Sequence, residues 1–401
     1  MNLLVINSGS SSIKFSIFSA DGSSPHALYE GETLGIGSGD ATFRFSRTGE
    51  KSSATKIQAG DPVEAIGKVV DAVTQPGLPS IDAVGYRVVH PGPKLHNHVR
   101  IAPEVLRDLD EAVSFAPLHD PSAIRIIQEG MSHFPDIPHF ACFDTVFHQT
   151  MPEVASVYPI PAEYRNSGVH RYGFHGLSCE SVVEQMRSTD TPVPHRMVIA
   201  HLGSGCSVTA LIDGRSIDTT MGLTPTGGVV MGTRPGDLDP GLVLYLLRKQ
   251  KGSREEALNA VEHLLNHNSG IAELSGLPND MRSTRKAAAE GNVQAKLAID
   301  VFTRSVRKAI GSFSWLMGGL DALVFTGGIG EHDAQTRAEV LAGLDSLGIQ
   351  MDAGLNLAEN KDIKNPLHQI SASQSPTKVL LIPAKEDWMM AIHLQQMLAV
   401  V

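Results

Sequence analysis

Residues Leu3 to Phe18 read LLVINSGSSSIKFSIF. A continuous apolar run, Leu3 to Ile6, meets a turn of small residues, Asn7 to Ser12, and apolar side chains then alternate at Ile13, Phe15 and Ile17. A period of two after a Gly/Ser turn predicts a β-hairpin with a loop at its tip, because successive strand residues face opposite sides. The same design recurs from Met197 to Asp213. There Val198 and Ile199 lead into His201-Leu202-Gly203-Ser204-Gly205, and Val208, Ala210 and Ile212 alternate before the turn Asp213-Gly214. A unit repeated after nearly half the chain predicts two domains of related design.

Outward from these hairpins, Phe302, Val306, Ala309, Phe313 and Leu316 follow a helical stripe. The apolar strand Leu323-Val324-Phe325 comes next and runs into Thr326-Gly327-Gly328-Ile329-Gly330-Glu331, then into a helical segment from Ala334 to Leu344. Strand, Gly-rich loop and helix in that order suit a phosphate, because unpaired amides at a helix N-terminus favour anions. Ser46 to Asp61 and Met186 to Arg196 are polar or Pro-containing and read as surface loops.

A length of 401 residues exceeds one ordinary core, which again favours two domains. The formal net charge of −10 argues against broad binding to nucleic acid or an anionic membrane, so an anionic substrate must meet a local positive cluster. Cys142, Cys179 and Cys206 are odd in number and lack metal-ligand spacing, which fits a reducing, cytoplasmic setting. MNLLVINSG has no basic n-region and does not read as a signal peptide. The most apolar run, Phe313 to Phe325, is broken by Gly318, Gly319 and Asp321, so no transmembrane span is expected.

No G-x-x-x-x-G-K-[ST] occurs, which excludes a P-loop. Gly35, Gly37 and Gly39 form an incomplete dinucleotide pattern with no helix after it. Three Gly/Ser loops stand in place of a P-loop: Asn7 to Ser12, His201 to Gly205 and Gly327 to Gly330. Two of them lie on the repeated hairpins. Cys206 reads as a passive small residue beside the second loop, and His96-Asn97-His98 as a solvated loop rather than a metal site.

Six blocks carry a resemblance: NSGSSSIKF (Asn7 to Phe15), FDTVFHQTMP (Phe143 to Pro152), RYGFHG (Arg171 to Gly176), MGLTP (Met221 to Pro225), MGTRPGDLDP (Met231 to Pro240) and FTGGIGE (Phe325 to Glu331). Together, and in this order, they resemble the acetate kinase family. That resemblance implies an α/β fold of duplicated actin-like (ribonuclease H-like) ATPase domains with an interdomain active-site cleft. The first domain would cover residues 1–150 plus 383–401 and the second 151–382. It also implies a homodimer, and reversible transfer of the γ-phosphoryl of ATP to acetate, giving acetyl phosphate and ADP.

A carboxylate is ionised at neutral pH and needs no general base. Its site must instead offset repulsion between two anions and stabilise the charge on the transferring group. By resemblance Arg87 binds the carboxylate, His175 and Arg234 stabilise the transition state, and Asp144 is the catalytic aspartate, read here as an orienting partner. Val89, Leu118, Phe174 and Pro225 would surround the methyl group, with Val89 favouring acetate over longer chains. Mg²⁺, or Mn²⁺ in its place, would be held by Asn7 and Glu386. Lys14 and His201, Leu202, Gly203, Ser204 and Gly205 would contact phosphates. Asp280, Met281 and Arg282, with Gly328, Ile329, Gly330, Glu331 and His332, would hold the adenosine.

The chain departs from the family at Tyr86, Pro91, Asp120, Ser204, His332 and Lys385. None of these removes a charged group assigned to phosphoryl transfer, whereas Ser204 is shorter and His332 bulkier than the usual asparagine. The rival readings are a propionate or butyrate kinase and, from another class, a non-catalytic ATP-driven switch like Hsp70 or actin. The switch would leave Arg87, Arg234 and His175 without a task.

Overall fold

Strand β1 (Asn2–Ser8) buries Leu3, Leu4, Val5 and Ile6 in succession, because both faces of its sheet are covered. Leu4 and Ile6 pack with Ile66, Val69 and Ile127, whereas Leu3 and Val5 pack with Phe140, Met390 and Leu394. The computed structural model describes residues 1–9, 11–115, 120–189, 191–358 and 366–399. It divides into two compact units: Met1–Val146 with Gly176–Ser181 and Lys385–Val401, and Phe147–His175 with Val182–Ala384.

The first unit holds β1, β2 (Ser12–Ser19), β3 (His26–Leu34), β4 (Thr42–Arg47), β5 (Thr55–Lys56), β6 (Ala83–Val88), β7 (Val99–Arg100) and β8 (His139–Phe143). They form one sheet in the order β5-β4-β3-β2-β1-β6-β8-β7. The second unit holds β9 (Arg196–Leu202), β10 (Cys206–Ile212), β11 (Arg215–Thr219), β12 (Ala322–Thr326), β13 (His368–Gln369) and β14 (Lys378–Leu381), in the order β11-β10-β9-β12-β14-β13.

The two sheets share a plan. In the first, β1 pairs antiparallel with β2 and β2 with β3, while β1, β6 and β8 run parallel. In the second, β9 pairs antiparallel with β10 and β10 with β11, while β9, β12 and β14 run parallel. Each ends in a two-residue antiparallel edge strand. This is the duplicated actin-like α/β fold, and the hairpin repeat read in the sequence is the core of it.

Three details differ from the sequence reading. Ser46 to Asp61 contains the end of β4 and the edge strand β5, a segment too short to show alternation. Met186 is fully buried on the helix Gly176–Ser188, so the surface loop begins after that helix. On the helix Val293–Leu316 the buried stripe is Ile299, Phe302, Val306, Ile310 and Phe313, whereas Leu316 lies exposed in the last turn. Gly35 and Gly37 take positive φ in the turn between β3 and β4 and precede no helix.

Candidate active site

In the first unit, the end of β6 sets Arg87 beside Asp144, which directly follows the neighbouring parallel strand β8. Arg87 Nε donates to Asp144 Oδ1 at 2.9 Å and Nη2 donates to Oδ2, a two-pronged pairing that fixes the guanidinium plane. Burial opposes the charge of Arg87, but Asp144, Glu386 and Asp387 outweigh it and hold its pKa above the ordinary value. Arg87 Nη1 also reaches Asn7 Oδ1 and the Ser8 carbonyl, each at 3.4 Å. Val89, one residue beyond β6, is buried. Leu118 lies outside the described residues.

Asn7 stands opposite Lys14 in the β1–β2 register, at the hairpin tip. Its Nδ2 donates to Glu386 Oε2 at 3.0 Å and to Asp387 Oδ1 at 2.9 Å. Burial, and after it the neighbouring Glu386 charge, push Asp387 above the usual carboxylate range, while Asn7, Lys14 and Ser16 pull it down. Two adjacent carboxyl groups sharing one amide offer hard oxygen donors, which fits a divalent cation such as Mg²⁺. Sequence reasoning missed Asp387, although its position next to Glu386 was a usable signal.

In the second unit, His175 adopts a left-handed backbone with φ 58°. Its Nδ1 and Ser207 Oγ are 3.0 Å apart, and its ring stacks on His201 with centroids 4.1 Å apart. A Cβ built on Gly205 would lie 3.3 Å from His175 Nε2 and 3.7 Å from Arg234 Nη1. The loop between β9 and β10 therefore presents bare backbone to both of these predicted residues. Arg234 Nη1 donates to the Pro225 carbonyl at 2.7 Å, so these two predicted residues also meet. Phe174 is buried beside His175 in the chain.

Ser204 is held from two sides: its carbonyl accepts from the Gly232 amide at 3.0 Å and its Oγ accepts from Asn279 Nδ2 at 3.0 Å. Asn279 went unassigned in the sequence, although it adjoins Asp280. Asp280 caps the helix Met281–Ala289, accepting from the Arg282 and Ser283 amides, and Arg282 projects into solvent. Gly328 to His332 form a helical turn, Gly327–His332, directly after β12 rather than an open loop. Glu331 folds back within it. Its Oε1 accepts from the Gly327 amide at 2.8 Å and from the Ala384 amide at 3.0 Å, so its carboxylate fills the anion position the loop offers.

The Cys206 thiol is buried, which pushes its pKa up to about 12, and it is inert. His98 departs from its expected solvation. Its Nε2 is sealed from solvent, and burial, with His393 beside it, lowers its pKa to about 3, whereas His96 and Asn97 are exposed. Among the described residues His98, Glu180 and His393 bring possible ligand atoms within 4.8 Å of one another. The Phe143 amide, however, donates to His98 Nδ1 at 3.0 Å. The ring proton must then sit on Nε2, which offers an N–H rather than a metal-binding lone pair. No helix among the described residues is long and apolar enough to cross a membrane.

The sequence pattern of the acetokinase family matches residues 2–392. The chain is 40% identical over 396 residues to an acetate kinase of Geobacillus sp. (strain WCH70), covering 97% of both chains. Its structure is similar to that of a propionate kinase from Francisella tularensis, with a TM-score of 0.86 at 35% identity and coverage of 97% of this chain and 98% of the other. It is likewise similar to a Porphyromonas gingivalis acetate kinase, with a TM-score of 0.84 at 30% identity and 99% of each chain covered. Agreement over almost the whole length, in sequence and in fold, means that the chain belongs to the acetokinase family and is a kinase.

Proposed function

We propose that this kinase transfers the γ-phosphoryl of ATP reversibly to acetate by direct in-line attack. One carboxylate oxygen forms a bond to the γ-phosphorus while the bond to the bridging oxygen of ADP breaks, giving acetyl phosphate. The observation that carries this reading is the bare, half-buried backbone of Gly205 under both His175 and Arg234. Such an arrangement suits a phosphoryl group whose charge must be met by fixed donors in the transition state.

In this reading Arg87 takes the acetate carboxylate and Asp144 keeps the guanidinium in one plane. The methyl group faces Val89, Leu118, Phe174 and Pro225. Lys14 and His201 to Gly205 cradle the phosphates, while Asp280 to Arg282 and Gly328 to His332 receive the adenosine. Asn7 and Glu386, with Asp387 added, would hold Mg²⁺, which neutralises phosphate oxygens when bound. A homodimer belongs to the same reading: the helix Pro240–Lys249 buries none of its residues and leaves Leu242, Leu244 and Tyr245 exposed. The three free, buried cysteines support a cytoplasmic setting.

Incubation with ATP, Mg²⁺ and hydroxylamine tests the proposal, with acetate, propionate or butyrate as acceptor. Acetohydroxamate should form fastest, and propionate more slowly, since one methylene is worth about 1–3 kcal/mol in a small apolar pocket. No hydroxamate from any of the three would sink the kinase chemistry proposed here. A faster rate with propionate would transfer the reading to the substrate named for the Francisella relative.

A further inference from the structure

We infer that His148 is a positioning residue that holds His175 in its working conformation through the carbonyl of Phe174. His148 lies on the short 3-10 helix Val146–Thr150 and is 1% exposed. Its Nε2 is 2.9 Å from the Phe174 carbonyl oxygen, and its Nδ1 is 2.9 Å from Ser216 Oγ. A carbonyl can only accept, so the proton resides on Nε2 and the Ser216 hydroxyl donates to Nδ1. Burial lowers the His148 pKa to about 4, in keeping with a neutral ring carrying that one proton. A second clip, from Thr150 Oγ1 to the Ser216 carbonyl at 2.8 Å, fixes the same short helix to β11.

The peptide held in this way is the one that matters for His175. Rotation about the His175 N–Cα bond is measured against the Phe174 carbonyl carbon, so pinning that peptide plane fixes one of the two references that define φ of His175. The value, 58°, lies in the left-handed region, which a residue with a side chain rarely adopts. Gly173 also has positive φ, at 76°, and a Cβ there would lie 2.8 Å from the His148 ring and 2.5 Å from Thr219 Cγ2. Backbone and imidazole are thus packed against each other with no slack. At the far end of this arrangement, His175 keeps its ring on His201 and its Nδ1 at Ser207. Removal of the His148 side chain deletes this buried hydrogen bond to the Phe174 carbonyl and loosens the turn that carries His175.

This inference rests on the reading of His175 as a catalytic group, and the experiment separates the two. Steady-state kinetics would be measured for His148→Ala, His148→Asn, His148→Gln and His175→Ala. Glutamine places an amide nitrogen near the position of Nε2 and can donate to the Phe174 carbonyl; asparagine is too short. A misplacement of about 1 Å can cost roughly 10²-fold in rate. His148→Ala and His148→Asn should therefore lose about 10²-fold in kcat with KM values for ATP and acetate changed less than about threefold. His148→Gln should regain most of the rate. If the alanine variant does not fold, the contrast between Gln and Asn decides. Equal activity of those two, or near-normal kcat in folded His148→Ala, overturns the inference. Near-normal kcat in His175→Ala overturns the parent reading instead.

Discussion

Arg87 and Asp144 stand 57 positions apart in the chain and share a two-pronged ion pair, with Asp144 1% exposed and Arg87 14% exposed at the side chain. The aspartate is thus committed to a guanidinium rather than available as a base. Truncation of Arg87 to alanine should raise KM for acetate about 10–100-fold, the equivalent of a charged hydrogen bond worth about 1.5–3 kcal/mol. KM for ATP should change little. Steady-state kinetics with each substrate varied would check this, and an unchanged acetate KM would remove Arg87 from the carboxylate site.

Asp144→Ala leaves the Arg87 guanidinium without its closest carboxylate. Breaking a buried pair from one side costs about 3–5 kcal/mol, so urea unfolding should show a loss of that order. A loss below about 1 kcal/mol would mean that Glu386 and Asp387 alone suffice to hold the charge.

Arg234 points at the Gly205 backbone and is tethered to the Pro225 carbonyl. Arg234→Ala should lower kcat by roughly 10³-fold, as loss of an arginine that meets transition-state charge does in phosphoryl transfer. A folded variant with near-normal kcat would falsify its assigned role.

Asn7 divides its amide between Glu386 and Asp387. Glu386→Gln removes one negative charge from this group. The Mg²⁺ concentration giving half-maximal rate should rise about tenfold or more, a change of about 1.4 kcal/mol. A magnesium titration at saturating ATP and acetate reads this directly, and an unchanged midpoint would assign the cation elsewhere.

Asp120 is fully buried; among the described residues its Oδ2 has no hydrogen-bond partner, and its Oδ1 accepts from the His90 amide at 3.4 Å. Burial raises its pKa to about 8, with the His90 amide opposing. A carboxyl with a raised folded-state pKa binds its proton more tightly when folded. The stability it contributes is complete below its unfolded pKa near 4 and is lost as pH rises through about 8. Asp120→Asn should therefore melt higher than the parent protein at pH 8.5, with the difference shrinking toward pH 4.5. Thermal scans at the two pH values test this, and a pH-independent difference would mean that the carboxyl does not titrate in the fold.

Much of the architecture was legible because it is local. The hairpins β1–β2 and β9–β10 announce themselves by apolar alternation around Gly/Ser turns, and their repetition is the duplication of the fold. Strands β3 and β4 escaped notice because neither face is fully buried and their polar residues break the period. The Gly327–Gly330 stretch reads as an open loop because glycines suggest a turn, yet it forms a helical turn whose first amide, that of Gly327, is capped by Glu331.

Sequence alone determined the residue types at the candidate site, the hairpin tips that carry Asn7 and His201 to Gly205, and the resemblance those blocks bear. Chain folding decided which of them meet: Asn7 with Glu386 and Asp387, 379 and 380 positions away, Arg234 with Pro225, and His148 with Phe174. It also decided protonation, since His98 and Asp120 look like ordinary polar residues until burial removes the water that would stabilise their charge. Periodicity is written in neighbouring residues and survives in the unfolded chain. Contact, desolvation and the left-handed turn at His175 exist only once distant segments pack together.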